Sequence, residues 1–183
     1  MPDQPQNIGA SVRQRLLNLA RTSGQPMDLL LTRYALERLL HRLSLSSHRE
    51  RFVRKGAMLL VTWFNEPHRA TRDVDLLVFG EAAQNALLAT FRDIMAVEVD
   101  DGVVFDLKGL KIEAIREAVE YGGSRLRTTA ALAGARIPIT VDIGFGDAVT
   151  PAAQSIDYPT LLADVPAPTL RAYPKATVVA EKL

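Results

Sequence analysis

The chain has 183 residues, is 48% hydrophobic and has a mean hydropathy of +0.04, which suits a single domain with one buried core and a helical appendage. It lacks cysteine, excluding disulfides, thiolate metal sites and a cysteine nucleophile, and no apolar run approaches the ~18 residues of a membrane span. The net charge of +1 hides an asymmetry: residues 1–72 hold 12 Lys and Arg against 5 Asp and Glu (+7), and the remainder holds 10 against 16 (−6). The basic excess gathers at Arg49, Arg51, Arg54, Lys55, Arg69 and Arg72. Such a cluster suits a polyanion, a nucleoside triphosphate or RNA, and equally a solvated helix face. The first ten residues, MPDQPQNIGA, lack the charged and apolar blocks of a signal peptide, so a soluble cytoplasmic protein is expected.

In chain order, Ser11 to Ala20 sets Val12, Leu16 and Leu19 on one helical stripe, with Ser11 as the expected N-cap. Asp28 opens a second helix in which Leu29, Leu36, Leu40 and Leu43 recur at helical spacing, and the polar run Ser44 to Glu50 ends it. Residues 55–79 read as strand, turn, strand. The first strand, Ala57 to Phe64, is entered through Gly56; the second, Val74 to Phe79, carries Asp73 and Asp75 at its mouth. Glu81 to Met95 is helical by its alanine and leucine content. Val97 to Glu120 alternates apolar and charged residues around turns at Asp101-Gly102 and Lys108-Gly109, which predicts short strands, with a helix over Ile112 to Val119 as the alternative. Arg125 to Ala133 and Arg136 to Phe145 form a hairpin joined by Gly134-Ala135. Asp142 lies on its second strand, framed by Ile139, Val141 and Ile143. From Asp147 the chain turns proline-rich and loosely ordered, pinned by Tyr158, Leu161, Leu162, Leu170 and Tyr173, and Ala176 to Leu183 begins a helix. Strands followed closely by helices predict a layered α/β architecture, a mixed sheet flanked by helices with further helices at the N-terminus. The divisions are a helical segment at 1–50, a core at 51–150, and a proline-rich segment at 151–183 leading into a further helical region.

Side chains two apart on a strand share a face, so the carboxylates of Asp73 and Asp75 project side by side. Acids held that close repel unless a cation lies between them, and carboxylate oxygens suit Mg²⁺ or Mn²⁺. Asp142, embedded among apolar residues, needs a partner too, because an unpaired buried charge is costly. Placing its strand beside that of Asp73 and Asp75 would give all three the same metal. Thr71, two residues before Asp73, shares its face and could hydrogen-bond a metal ligand. A D-x-D pair alone recurs by chance. The combination of a glycine before the spacer, R-x-T-x-D-x-D and a third buried aspartate carries more. The histidines His41, His48 and His68 have no ligand spacing.

This constellation resembles the nucleotidyltransferase fold and, more narrowly, the AbiEii toxin family of bacterial toxin–antitoxin and abortive-infection systems. The residues that carry the resemblance are RYALERLL from Arg33, KGAMLL from Lys55, RATRDVDLL from Arg69, DGVVFD from Asp101, YGGSR from Tyr121, VDIGFGD from Val141, YPTLL from Tyr158 and AEKL from Ala180. By position the resemblance implies that Gly56 and Ala57 turn backbone amides to the phosphates, that Asp73, Asp75 and Asp142 are the catalytic and metal-binding acids, and that Lys182 contacts the nucleotide. Arg69 and Arg72 are expected to add positive charge there. It further implies Mg²⁺ (or Mn²⁺) as cofactor, an NTP as substrate, an acceptor such as RNA or tRNA, and a cognate antitoxin as partner. In that mechanism metal held by Asp73 and Asp75 clamps the triphosphate, and a second metal shared with Asp142, or Asp142 as base, activates the acceptor hydroxyl. Two departures stand out: Ala57 replaces the usual serine, and family members continue past AEKL into a helical region. Two other readings stay open, a non-catalytic nucleotide- or antitoxin-binding homologue and an antibiotic-modifying nucleotidyltransferase.

Overall fold

The structure, a computed structural model, describes residues 7–55, 72–80, 83–115, 122–145 and 153–174. Among the described residues, three α-helices, α1 (Ile8–Ser23), α2 (Met27–Leu45) and α3 (Gln84–Met95), pack with strands β1 (Phe52–Lys55), β2 (Val74–Val78), β3 (Val104–Phe105), β4 (Lys111–Ala114), β5 (Gly123–Leu132), β6 (Ala135–Phe145), β7 (Gln154–Asp157) and β8 (Thr169–Ala172). The strands form one mixed sheet in the order β3-β5-β6-β2-β1-β8-β7, with β4 also pairing β5. The pairs β2–β6 and β1–β8 are parallel, and the others are antiparallel. The expected mixed α/β sheet with N-terminal helices is what forms.

Alternation along the strands sorts side chains between the two faces. Phe52, Val74, Leu76, Val78, Leu126, Ile139, Val141 and Ile143 meet Leu16, Tyr34, Leu36, Leu40, Phe91 and Ile94 of the helices in the main core. Val53 and Leu77, one residue out of phase, join Ala172 and Tyr173 in a smaller cluster. Residues in phase with Leu77, Asp75 among them, therefore lie on the face away from the helices.

Helix α2 is buried almost all round, from Leu29 to Leu43, and several of its charged residues are bonded within the chain, although the Arg38 Nε and the His41 Nδ1 find no partner among the described residues. Arg42 forks onto Asp101 (Nη1 to Oδ2 2.7 Å, Nη2 to Oδ1 3.0 Å) and donates to the carbonyls of Arg38, Val97 and Val103. Glu37 accepts from Arg38 at 2.8 Å and from the Leu161 amide at 2.9 Å, while Arg38 reaches the Pro166 carbonyl. These bonds tie the proline-containing segment to the helix. Gly102, at φ +79°, lies against α1 so closely that a Cβ there would meet the Gly9 Cα at 2.7 Å, so the predicted Asp-Gly turn is also a packing contact.

Several expectations need correction. Helix α1 begins earlier, capped by Asn7, whose Oδ1 accepts from the Ala10 amide at 3.0 Å; Ser11 lies inside the helix. The partner of the Asp75 strand is Phe52–Lys55, a strand too short and too charged to announce itself, whereas the expected strand at Ala57 to Phe64 lies outside the described residues. The long hairpin turns at Ala133-Gly134, both at positive φ, one residue earlier than Gly134-Ala135. Positive φ at both positions is what a two-residue hairpin turn of type I′ requires, and here alanine accepts it. The proline-rich segment is more regular than expected. It supplies β7 and β8, and β8 enters the sheet beside β1, held by the buried Tyr158, Leu162, Leu170 and Tyr173. Four-residue strands between prolines are too brief to show a period.

Candidate active site

The strand pairing writes a row of charge across the face away from the helices. Lys55 on β1 stands opposite Asp75 on β2, Asp75 opposite Asp142 on β6, and Asp142 opposite Arg125 on β5. Asp73, two residues before Asp75, shares its direction. One carboxylate oxygen from each of Asp73, Asp75 and Asp142 lies within 4.8 Å of the others, and all three residues are partly buried. The predicted convergence of the three acids is therefore what the fold brings about. Arg125 grips Asp142 with both ends of its guanidinium, Nε to Oδ1 at 2.7 Å and Nη2 to Oδ2 at 2.8 Å.

Electrostatics at the site follow from crowding. Burial, helped by the Asp73 and Asp142 carboxylates, pushes the Asp75 carboxyl above its usual range, with Arg54 and Lys55 pulling the other way. Arg54 is fully buried. Its Nη1 donates to the main-chain oxygens of Asp75 and Lys55, and its Nε and Nη2 have no hydrogen-bond partner among the described residues. Burial lowers its pKa, and Tyr158, Asp75 and Asp73 oppose that. A buried guanidinium thus underlies the strand that carries the acids.

Arg72 goes elsewhere: it is exposed and pairs with Asp28, in the first turn of α2, at 2.8 Å. Strand alternation explains this, since neighbours of Asp73 point to the opposite face. Gly56, Ala57, Arg69, Thr71 and Lys182 lie outside the described residues. Lys55, Arg54 and Arg125 were not singled out from the sequence. Arg54 stands only in the basic cluster, while Lys55 also opens the KGAMLL motif and Arg125 closes YGGSR, neither with a role of its own. Arg125 was recoverable by counting pairs back from the hairpin turn, but the assumed Gly134-Ala135 turn sets Arg127 opposite Asp142.

Three hard oxygen donors converging from two strands suit a divalent cation of the Mg²⁺ or Mn²⁺ type. The profile of the nucleotidyl transferase AbiEii toxin family, type IV toxin–antitoxin system, matches residues 38–183, which include all three acids. The chain belongs to the AbiEii family. Two solved structures share the fold of this AbiEii chain: a Helicobacter pylori protein assigned to the nucleotidyltransferases (TM-score 0.52, 13% identity, 84% of this chain and 56% of that one) and JHP933 from Helicobacter pylori (TM-score 0.53, 13% identity, 84% and 55%). The chain spans little more than half the length of either. No curated protein matches it significantly. No helix among the described residues is long and apolar enough to cross a membrane.

Proposed function

We propose that this AbiEii chain carries the catalytic centre of a nucleotidyltransferase that moves a nucleoside monophosphate from an NTP to an acceptor hydroxyl on RNA, tRNA being the favoured class. The observation that carries the reading is the convergence of Asp73, Asp75 and Asp142 across two parallel strands. These carboxylates would hold Mg²⁺, which when bound neutralises charge on the triphosphate and on the departing pyrophosphate. Arg125 fixes both oxygens of Asp142, so that this acid is presented in one orientation. The acceptor oxygen bonds to the α-phosphorus, the bond to the β-phosphate oxygen breaks, pyrophosphate leaves, and the hydroxyl proton passes to a carboxylate of the cluster. Gly56, Ala57 and Lys182 keep their proposed contacts with the nucleotide. On this reading a cognate antitoxin is the partner and the cytoplasm, which supplies NTP and tRNA, is the compartment; the type IV toxin–antitoxin family supports both.

Incubation with labelled NTPs, Mg²⁺ and total RNA tests the reading. Label appears on RNA with the wild type and is lost with Asp75→Ala. Tight NTP binding without transfer to any acceptor would instead assign the chain to the binding-only class.

A further inference from the structure

The face that carries the acids also holds a cation, Lys55, that acts on Asp75 through space. Lys55 ends β1 directly opposite Asp75, yet among the described residues its ammonium makes neither an ion pair nor a hydrogen bond. Its side chain instead runs across β2 to β6. The Nζ lies 3.2 Å, and Cε 3.7 Å, from where a Cβ on Gly144 would stand. Gly144 is two residues beyond Asp142 and on the same face, opposite Leu77 of β2. Glycine inside a strand weakens it and marks a close approach, and what approaches here is the lysine. The missing side chain at 144 opens a lane through which the amine reaches the edge of the acid cluster.

Counting charges shows what the amine is free to meet. Of the three carboxylates, Asp142 is matched by Arg125 at 2.7 Å. The two that remain balance one divalent cation. The Lys55 charge is then left over, with three N–H donors on a half-buried side chain beside the proposed metal site. A compact ammonium of this kind suits the non-bridging oxygens of a polyphosphate. We propose that Lys55 binds the β- and γ-phosphates of the substrate triphosphate, with Gly144 as the residue that makes room for it; this rests on the nucleotidyltransferase reading above.

Inorganic tripolyphosphate is the probe, because it presents the phosphates without a base. Calorimetric titrations of the whole protein first with Mn²⁺ and then with tripolyphosphate at saturating Mn²⁺ separate the two sites. Lys55→Met is expected to weaken tripolyphosphate about tenfold, the loss of a charge-assisted hydrogen bond, while Mn²⁺ binds as well as before or better. Lys55→Arg restores most of that affinity. Gly144→Val, which fills the lane and suits a strand, weakens tripolyphosphate with Lys55 still present. Unchanged tripolyphosphate affinity in Lys55→Met, or an equal loss of Mn²⁺ and tripolyphosphate, overturns the role of Lys55 and leaves the metal site standing. A wild type that binds no Mn²⁺ overturns the catalytic reading itself.

Discussion

On the helix side of the sheet, Arg42 spends all five of its N–H donors on Asp101 and three carbonyls. Across the sheet, three carboxylates cluster around one guanidinium, and the Lys55 ammonium nearby has no hydrogen bond or ion pair among the described residues. Both regions concentrate charge in partly or fully buried surroundings. Only the Arg42–Asp101 pair is neutral with every guanidinium donor bonded within the chain. The contrast separates charge kept to hold the fold from charge left to meet a ligand: the former is satisfied by the same polypeptide, and the latter carries an imbalance that something else must complete.

The largest effect expected is on the saturated side. Asp101→Ala strands Arg42 in the interior and should cost about 3 to 5 kcal/mol, read as a fall in the urea unfolding midpoint. Metal should do nothing to rescue it. On the unsaturated side the sign reverses, because removing an acid relieves repulsion. Asp75→Asn should leave the metal-free protein as stable as the wild type or more so at neutral pH, while abolishing stabilisation by Mn²⁺.

The pH dependence follows from the same crowding. Asp75 is held above its ordinary 3.8 in the folded chain by burial and by its acidic neighbours. The stability it lends is fully present below 3.8 and is lost as pH rises through the higher folded-state value. Thermal melts in chelator should show this decline in the wild type, and Asp75→Asn should flatten it.

Arg125→Ala sharpens the comparison further. The pair with Asp142 is partly exposed, so stability should fall by only about 1 kcal/mol. Removing the cation should nonetheless tighten Mn²⁺, since Asp142 no longer shares its oxygens; weaker Mn²⁺ binding would show that orientation by Arg125 matters more than competition. The smallest effect belongs to the exposed pair between Arg127, on the same strand as Arg125, and Glu113 on β4. There Glu113→Ala should change stability by about 0.5 kcal/mol or less and leave metal binding untouched.

The elements with long periods were legible. Helices α2 and α3 stand within three residues of their predicted starts, and the hairpin of β5 and β6 follows from apolar alternation either side of a glycine turn. The D-x-D at the mouth of a strand exposed the site, since the spacing of two on an extended chain settles which side chains share a face. The short strands were not legible. Phe52–Lys55 shows two apolar residues followed by two cations, and Thr169–Ala172 lies among prolines, so neither contains enough residues to display a period.

The sequence by itself determined the family, the α/β class and the identity of the three acids, because residue type and local spacing act over a few positions along the chain. Which charges meet was decided only in three dimensions. The parallel register of β2 on β6 joins Asp75 to Asp142 across 67 positions of chain, the two-residue turn at Ala133-Gly134 delivers Arg125 rather than Arg127 to Asp142, and the bare backbone of Gly144 lets Lys55 across. Register is fixed by which faces are buried and by how a turn closes, and a shift of two residues there conserves every local pattern while changing every partner.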